Sequence, residues 1–594
     1  MGPGAAQSPA AVAAGTAWGM GAAGLVAGHL RVGPAWPWLV AGLAGGALVA
    51  WARPSAEAWR HPRLALLAAV AGVAMGPLPE PVFFLLVPLV SSALAWPLRA
   101  EGQPERMPRA MPAWALPATF VVGAAAFFVQ SANRYWAFGA GAKDLGLFYQ
   151  THWLIAHGRP PLNTVMGMHA LADHMELLDY VVAPLLRIHD SPATLLLVQA
   201  VATASAVFPL AWMGQRWLES SGAGLTLAWA WLLAPDVHMG VMFDYNPTQL
   251  GAAALLWTAW ALLDRGLAVA LLAAVVACLS KEDTCLYVAV IALVLAFRGA
   301  SRRRALAVAG LALGVFTLEM TVLFPLFRPE GFRHWEYEEL GHTNPLTLLV
   351  DHPQKRRAML QPLAATGYVG LADPISLLLQ APNWAERLLS THATRWWGYH
   401  YGVPAAATAV LGLMLGWRRL RRAERDGARL PHYVVTCALL TAALPPYRTP
   451  AGNRTSDLYR LRQPNVSSPD AVRAQREAVA FIGDDPRLKV AAQNSLLPAL
   501  AGRPEAYLLD RALDADMVAL QLDGSTWPDG RPSWKRRVRQ IWGTGAFTVA
   551  FCRGQTVVLR RGAPPGLPCP AWDRILQPDA ELGTMSRSIP RSPG

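Results

Sequence analysis

The sequence predicts a mainly α protein: a polytopic transmembrane bundle of about 13–15 spans, followed by a smaller C-terminal soluble α/β domain. Three observations predict it. Hydrophobic residues make up 53% of the 594 residues and charged residues only 15%, and the mean hydropathy is +0.26. Apolar runs of roughly 20 residues, the length that crosses a bilayer, recur from residue 11 to residue 446 and then stop. Beyond 447 the pattern changes to short alternating helix and strand periods. This composition excludes a single soluble globule, and it excludes disorder, which needs far less apolar content. The 24 Trp and 50 Gly suit membrane helices and their interfaces.

Taken in order, four apolar segments come first, near 11–29, 36–52, 64–78 and 81–97. The start, MGPGAAQSPA, lacks the basic n-region of a cleavable signal, so the first segment is expected to stay as an anchor. Residues 1–110 thus form an N-terminal addition to a core expected over 111–446. A fifth span, 111–130, precedes a polar stretch, 131–191. Spans near 193–213, 222–238, 248–263, 266–280, 284–298 and 305–326 lead to a second polar stretch, 328–356. Residues 358–382 hold two short apolar runs broken around Gly370 and Pro374 and read as a helical pair or re-entrant segment. Spans near 401–416 and 432–446 close the bundle.

The formal charge of +13 is distributed by topology. Arg298 with Arg302–Arg304, and Arg418 with Arg419, Arg421 and Arg422, flank apolar segments, which is how cytoplasmic loops orient a polytopic chain rather than how nucleic acid is bound. Placing these loops and the Arg53/Arg60/Arg63 and Arg99/Arg106/Arg109 groups inside puts both polar stretches, the links 239–247 and 281–283, and everything after Pro446 outside. The broken pair must then cross twice or not at all. The expected location is a bacterial inner membrane, multi-pass, with the C-terminal domain extracytoplasmic.

In the tail, helices are expected near 469–482, 495–501 and 533–541. Strands are expected near 488–493, 506–509, 516–521, 546–552 and 555–560. The domain is bounded at 447–577, and 578–594 reads as disordered. Five cysteines are too few for a disulfide scaffold. Cys278, Cys285 and Cys437 fall in apolar segments and read as packing residues. Cys552 and Cys569 either pair or remain free thiols.

Polar groups at span ends on one side are the functional candidates, because charge at membrane depth is costly. Asp144 opens the loop 141–180, where Leu145, Phe148, Trp153 and Leu154 are expected to lie on the membrane surface. Five of the 14 histidines fall between His152 and His189, and Asp173, His174 and Glu176 sit close enough to share a metal or a phosphate. The short turns Asp244-Tyr245-Asn246-Pro247 and Lys281-Glu282-Asp283 also lie outside. Their acids and lysine suit a metal or a phosphate, and Asp283 is placed to cap the helix starting at Thr284. In the second polar stretch, Glu336 and Tyr337 of 333–339, with Trp396, Trp397, Tyr399 and His400 before the next span, combine acids and rings as sugar sites do. The Trp pair also fits an ordinary interfacial belt. There is no G-x-x-x-x-G-K-[ST], H-E-x-x-H or G-x-S-x-G motif, which removes support from ATP-driven transport and the common hydrolases.

The motifs D-L-G-L-F-Y-Q (144–150), His174 with A-P-L (183–185), and L-L-L-V-Q-A (195–200) are followed by F-D-Y-N-P (243–247) and K-E-D (281–283). Y-E-E-L-G (337–341), A-P-N-W (381–384) and A-A-Q-N-S-L-L-P-A-L-A-G-R (491–503) complete the series. In this order they resemble the bacterial membrane-protein family DUF2079, which is similar to GT-C-fold glycosyltransferases, over about 131–560. Asn246 departs from the His that the family more often carries. The resemblance implies a GT-C-like bundle that transfers a sugar from a polyprenyl-phosphate-linked donor to a lipid or glycan acceptor at the outer face. It implies Asp144 as catalytic base and His174, Glu282 and Asp283 as ligands of a divalent metal cation. Gln150, Lys281, Asp244, Tyr245, Glu336, Tyr337 and His400 would bind substrate. The expected partners are the donor, the acceptor and membrane lipids, with no nucleic acid. A transporter or lipid flippase, hinted at by Glu319 deep in a span and by the broken pair, is the alternative, and a non-catalytic envelope scaffold a third.

Overall fold

The computed structural model describes residues 87–89, 91–92, 112–332, 334, 337–396, 399–423, 430–442, 468–562 and 566–577. The expected N-terminal spans, apart from those few residues of the fourth, and the 578–594 end lie outside the described residues. The chain divides into two compact units. One comprises 1–134, 169–189 and 193–464, and the other 135–168, 190–192 and 465–594.

The first unit is a helical bundle. Its helices include Ala115–Trp136, Val207–Trp217, Ser221–Leu232, Pro235–Met242, Pro247–Asp264, Leu267–Cys278, Thr284–Ala296, Arg302–Leu318, Val403–Arg422 and Leu430–Ala442. Local chemistry sets several ends. The Ser220 hydroxyl accepts from the Ala223 N–H and starts one helix, and Asn246 Oδ1 accepts from the Thr248 N–H and starts another. Asn246, where the family resemblance suggests His, is thus a helix cap. Asp283 makes no such cap. Its carboxylate turns to Lys281 instead, 3.1 Å away, because an ion pair to a buried ammonium is stronger than a cap to a neutral amide. Pro235 lacks the N–H that would continue the preceding helix, and the chain bends by 45° there.

Among the described residues, three helices are long and apolar enough to cross a membrane: Ala115–Trp136, Pro192–Trp217 and Arg302–Phe327. The bent pair makes up to four, and Leu267–Cys278, Thr284–Ala296 and Leu430–Thr441 are shorter apolar helices. Their buried faces form one continuous core running from Phe127 through Trp231, Leu255, Ile291 and Met414 to Val434. Glycine permits the closest helix approach: a Cβ on Gly214 would lie 2.2 Å from the Gly224 Cα. Cys278, Cys285 and Cys437 are buried free thiols, as expected.

The broken segment is now legible. Pro353–Ala365 is helical, a left-handed Tyr368 turns the chain, and two 3-10 stretches, Val369–Ala372 and Pro374–Gln380, follow. Asp373 pairs with Arg298 at one end of helix Thr284–Ala296. Glu386 accepts from Tyr287 near the other end. The chain therefore runs the length of that helix and returns polar groups to the face bearing Lys281.

The second unit is built on a five-stranded sheet: β1 (Val490–Ala492), β2 (Ala506–Tyr507), β3 (Met517–Gln521), β4 (Phe547–Arg553) and β5 (Thr556–Arg561). The order is β2-β1-β3-β5-β4, with β2, β1 and β3 parallel and β5 antiparallel to both β3 and β4. Helix Arg531–Gly543 packs Trp534, Val538 and Ile541 against it, and helix Pro469–Ile482 buries Ala474, Ala478 and Ile482. These elements match the expected ones to within a few residues. Cys552 and Cys569 form a disulfide.

Residues 135–168 share this unit, and one expectation fails here. Helix Leu147–Ala156 does not expose an apolar face for a membrane surface. Nine of its ten residues are buried, as is Leu145 before it, because both faces find protein partners within the unit.

Candidate functional site

In the bundle unit, segments around 173–179, 244–245, 281–283, 334–337, 386–387 and 395–401 bring ionisable side chains together. The Leu178 N–H donates to the Leu279 carbonyl at 2.7 Å and ties the first of these segments to the third. Glu282 then faces His174: Nδ1 lies 2.7 Å from Oε1, and the Met175 N–H donates to Oε2 at 3.1 Å. Burial alone would raise the Glu282 pKa. The His174 contact and the Lys281 charge outweigh burial and hold it at about 2.

His174 stacks on His334, ring centroids 4.3 Å apart and 8° from parallel. His334 Nε2 lies 3.1 Å from Asp173 Oδ1. Burial, opposed by that contact, lowers the His334 pKa. Ligand atoms of Asp173, His174 and His334 all lie within 4.8 Å of one another. Among the described residues these three donor atoms converge, and His174, which the sequence grouped with Glu282 and Asp283, is one of them.

Two buried cations face these acids. Lys281, 2% exposed, pairs with Asp283. Burial works against its charge, but Asp283, Glu282 and Glu386 more than compensate, so it stays protonated. Arg395 Nη1 lies 3.1 Å from Glu386 Oε1. Both cations sit by the Tyr401 ring, 5.6 and 5.2 Å from its centroid. Glu386 accepts from the Tyr287 hydroxyl at 3.4 Å, and its backbone carbonyl accepts from the Tyr337 hydroxyl at 3.2 Å. Burial and the Asp283 charge push the Glu386 pKa to about 7.

His400 is 7% exposed and its Nδ1 has no hydrogen-bond partner. Burial, then Lys281, His174, Arg395 and Arg387, drive its pKa well below the usual imidazole value, so it is neutral. Glu176 and Asp179 are buried carboxyls raised well above their usual range by desolvation. For Glu176 the Asp179 charge adds to this. Tyr245 is fully buried and is raised by burial and by those same two acids. Asp244 adopts φ +100°, a strained value for a non-glycine residue. Arg134 Nη1 donates to its Oδ1 at 2.6 Å, and Gln199 Nε2 donates to its carbonyl at 3.0 Å.

The cluster therefore brings together His174, Lys281, Glu282, Asp283, Tyr245, Tyr337 and His400 of the residues expected from sequence, with Asp244 fixed by Arg134 beside Tyr245. Glu336 and Trp397 lie outside the described residues. Asp144 and Gln150 belong to the other unit. Asp144 is half-buried in a π-helical turn, Ala142–Gly146. Gln150 is fully buried and spends its amide within that unit on Thr164, Val165, Arg503 and Pro504. Sequence reasoning missed Glu386, Arg395, Tyr401 and His334 as members. A signal was present: Glu386 and Arg387 come one residue after the A-P-N-W motif, at the edge of an apolar run, where charge is costly. Glu386, like Asp144, sits in a π turn, Trp384–Leu388, a feature frequent at functional sites.

The sequence matches DUF2079, described as a predicted membrane protein, over residues 134–553, well over half of the chain. The chain belongs to this family. Comparison with curated proteins finds no match. Among solved structures, ArnT from Cupriavidus metallidurans bound to undecaprenyl phosphate aligns with a TM-score of 0.50 at 14% identity, covering 77% of this chain and 100% of ArnT. Its apo state gives 0.48 at 13% identity, covering 75% and 98%. The arabinofuranosyltransferase AftD from Mycobacteria gives 0.44 at 14% identity, covering 77% and 40%. The first of these establishes a GT-C-like fold for this DUF2079 protein.

Chemically, the DUF2079 site juxtaposes two kinds of subsite. Lys281 and Arg395, with the unpartnered His400 nitrogen, can meet the oxygens of an anion. Asp173, His174 and His334 offer one carboxylate and two imidazoles, a donor set suited to a divalent cation.

Proposed function

We propose that this DUF2079 protein is a membrane glycosyltransferase. It takes a sugar from a polyprenyl-phosphate-linked donor and passes it to a lipid or glycan acceptor on the outer face of a bacterial inner membrane, with the tail domain on that side. The observation that carries the reading is the set of buried cations, Lys281 and Arg395, beside a buried imidazole with an unmet hydrogen-bonding nitrogen. Buried charge is normally neutralised or paired, and a site left partly unsatisfied suits a charged ligand. A phosphate monoester supplies that charge. The likeness of fold to ArnT, a structure bound to undecaprenyl phosphate, supports the same chemistry here. So does topology: Lys281 precedes helix Thr284–Ala296 and Arg298 follows it, so basic loops held inside put Lys281 outside.

In the proposed reaction the acceptor hydroxyl oxygen attacks the anomeric carbon, and the carbon–oxygen bond to the phosphate breaks. The phosphate leaves with that electron pair, stabilised by Lys281 and Arg395. Asp144 takes the hydroxyl proton as general base, the role the family resemblance assigns it. Asp173, His174 and His334 fit a divalent cation: with the Nδ1 of His174 engaged by Glu282, its Nε2 is left as the donor atom. Such a cation would supply positive charge near the donor phosphate.

The transporter reading retains one observation, the fully buried Glu319, whose Oε1 has no partner. It accounts for none of the Lys281–Arg395–His400 geometry. The test is transfer from radiolabelled polyprenyl-phosphate sugars by purified protein in liposomes. Transfer by the wild type, abolished in Asp144→Asn at normal expression, is the expected result. Full transfer by Asp144→Asn would remove Asp144 from its role, and no transfer from any such donor would overturn the enzyme.

A further inference from the structure

The segment A-A-Q-N-S-L-L-P-A-L-A-G-R (491–503) lies in the tail, and the donor-side chemistry makes no use of it. Within the second unit this segment meets residues 142–150 at four places. Asn494 Oδ1 accepts from the Ala142 N–H at 2.7 Å. Pro498 lies against Gly146, where a Cβ would already be 3.5 Å from the proline nitrogen. Gly502 is met by Tyr149: a Cβ at 502 would come within 2.8 Å of the tyrosine hydroxyl oxygen, so an added side chain would have to displace the ring. The Arg503 and Pro504 carbonyls accept from Gln150 Nε2 at 3.2 and 3.3 Å. Arg503 itself is buried and donates to the Leu500 and Gly483 carbonyls, which fixes the loop that carries those acceptors.

Neighbouring contacts extend the same seat. Gln493 Nε2 donates to the Ser525 carbonyl at 2.6 Å and holds the 522–527 loop against the end of β1. Lys143, next to Asp144, lies over the Trp527 ring on that loop, 5.5 Å from its centroid. Thr164 Oγ1 donates to the Ala506 carbonyl and accepts from the Ala506 N–H, which joins the far end of the 135–168 segment to edge strand β2. Asp144 is thus bracketed. The residue two before it is hydrogen-bonded to the tail, the residue before it stacks on the tail, and the residue two after it packs on the tail.

We infer that the tail domain is the positioning element for Asp144, and that Asn494 is a positioning residue that sets the π-helical turn on which this carboxylate stands. The inference rests on the glycosyltransferase reading for the consequence in catalysis, but its structural content stands apart from that reading. It also explains why a chemistry-bearing loop and a motif some 350 residues later occur together in one sequence: they are two sides of one contact.

The test uses the full-length protein in nanodiscs and two substitutions. Asn494→Ala removes the acceptor for the Ala142 N–H without adding bulk, and Asn494→Asp keeps an oxygen in place. In Asn494→Ala, hydrogen exchange of the Ala142 amide is expected to rise by about five- to tenfold, the size of one hydrogen bond, while the amides of β3 and β5 stay unchanged. In Asn494→Asp it stays near the wild-type rate. Where transfer is measured, Asn494→Ala lowers kcat by at least about threefold with the KM for the donor lipid unchanged. A second variant, Gly502→Ala, perturbs the seat from its other end and raises exchange over 147–150. Unchanged exchange at 142 in Asn494→Ala, or Asn494→Asp behaving like Asn494→Ala, overturns the inference. Raised exchange in a protein that transfers no sugar would keep the positioning and overturn the enzyme reading.

Discussion

Replacing Lys281 by Met removes the cation on which the proposed donor site depends. The ammonium is 2% exposed and 3.1 Å from Asp283, and its charge helps keep Glu282 and Glu386 ionisable. A hydrogen bond to a charged group contributes about 1.5–3 kcal/mol, so its loss should weaken polyprenyl-phosphate binding by about 10- to 150-fold. Without the ammonium, Glu386, already at about 7, moves further up and is protonated at neutral pH. That proton uptake limits the cost to folding, since an unpaired buried charge is avoided. The assay is equilibrium binding of polyprenyl phosphate to nanodisc-embedded protein, with thermal melting as the control for folding. Lys281→Arg should recover most of the affinity. Binding by a well-folded Lys281→Met within about twofold of wild type would refute the assignment of Lys281 as the phosphate partner.

Other perturbations read different parts of the account. The folded pKa of Glu386, about 7, lies above the ordinary 4.5, so the stability it contributes is fully present below about pH 4.5 and is lost as pH rises through about 7; the stability difference between wild type and Glu386→Gln should therefore decline over that range and then level off, and a difference independent of pH would contradict the raised value. Gly214→Ala drives a methyl group into the Gly224 backbone and should cost about 1–3 kcal/mol by overpacking, seen as a lower melting temperature; a neutral effect would mean the two helices are not in contact there. His334→Ala should lower bound divalent metal, measured by elemental mass spectrometry after dialysis, whereas His189→Ala, whose imidazole bonds the Thr194 hydroxyl, should not; equal metal content in His334→Ala and wild type would remove the Asp173–His174–His334 group as a cation site.

Much of this architecture was legible in the sequence because its signals are local. Apolar runs gave the bundle helices, and period and turn chemistry gave the tail, down to helix Pro469–Ile482 and strand Met517–Gln521. The polar turns after Asp244 and at 281–283 were legible for a physical reason: charge is expelled from apolar segments unless it is used. What was not legible is non-local. Helix Leu147–Ala156 was expected on the membrane surface, but its partners are spread over Asn163, Thr164, Asp190 and the Arg503 and Pro504 carbonyls, and only the folded unit reveals that its outer face is covered. Asp283 had a cap available in sequence and found a stronger partner in Lys281. His334 lies 160 residues from His174, and no spacing rule foretells that their rings stack. Glu386 and Arg395 were hidden in a segment whose broken helices obscure which end faces which side. In the fold Asp373 pairs with Arg298 and Tyr287 bonds Glu386, which places Glu386 and Arg395 at the Lys281 end.

The central claim is that the Lys281–Arg395–His400 cluster receives the phosphate of a polyprenyl-phosphate donor. Native mass spectrometry of the detergent-purified protein tests it most directly. A bound polyprenyl-phosphate mass in the wild type, absent from Lys281→Met and retained in Gly214→Ala, is the result this account predicts. A wild-type protein that carries no such lipid, even after polyprenyl-phosphate sugars are added, would contradict it.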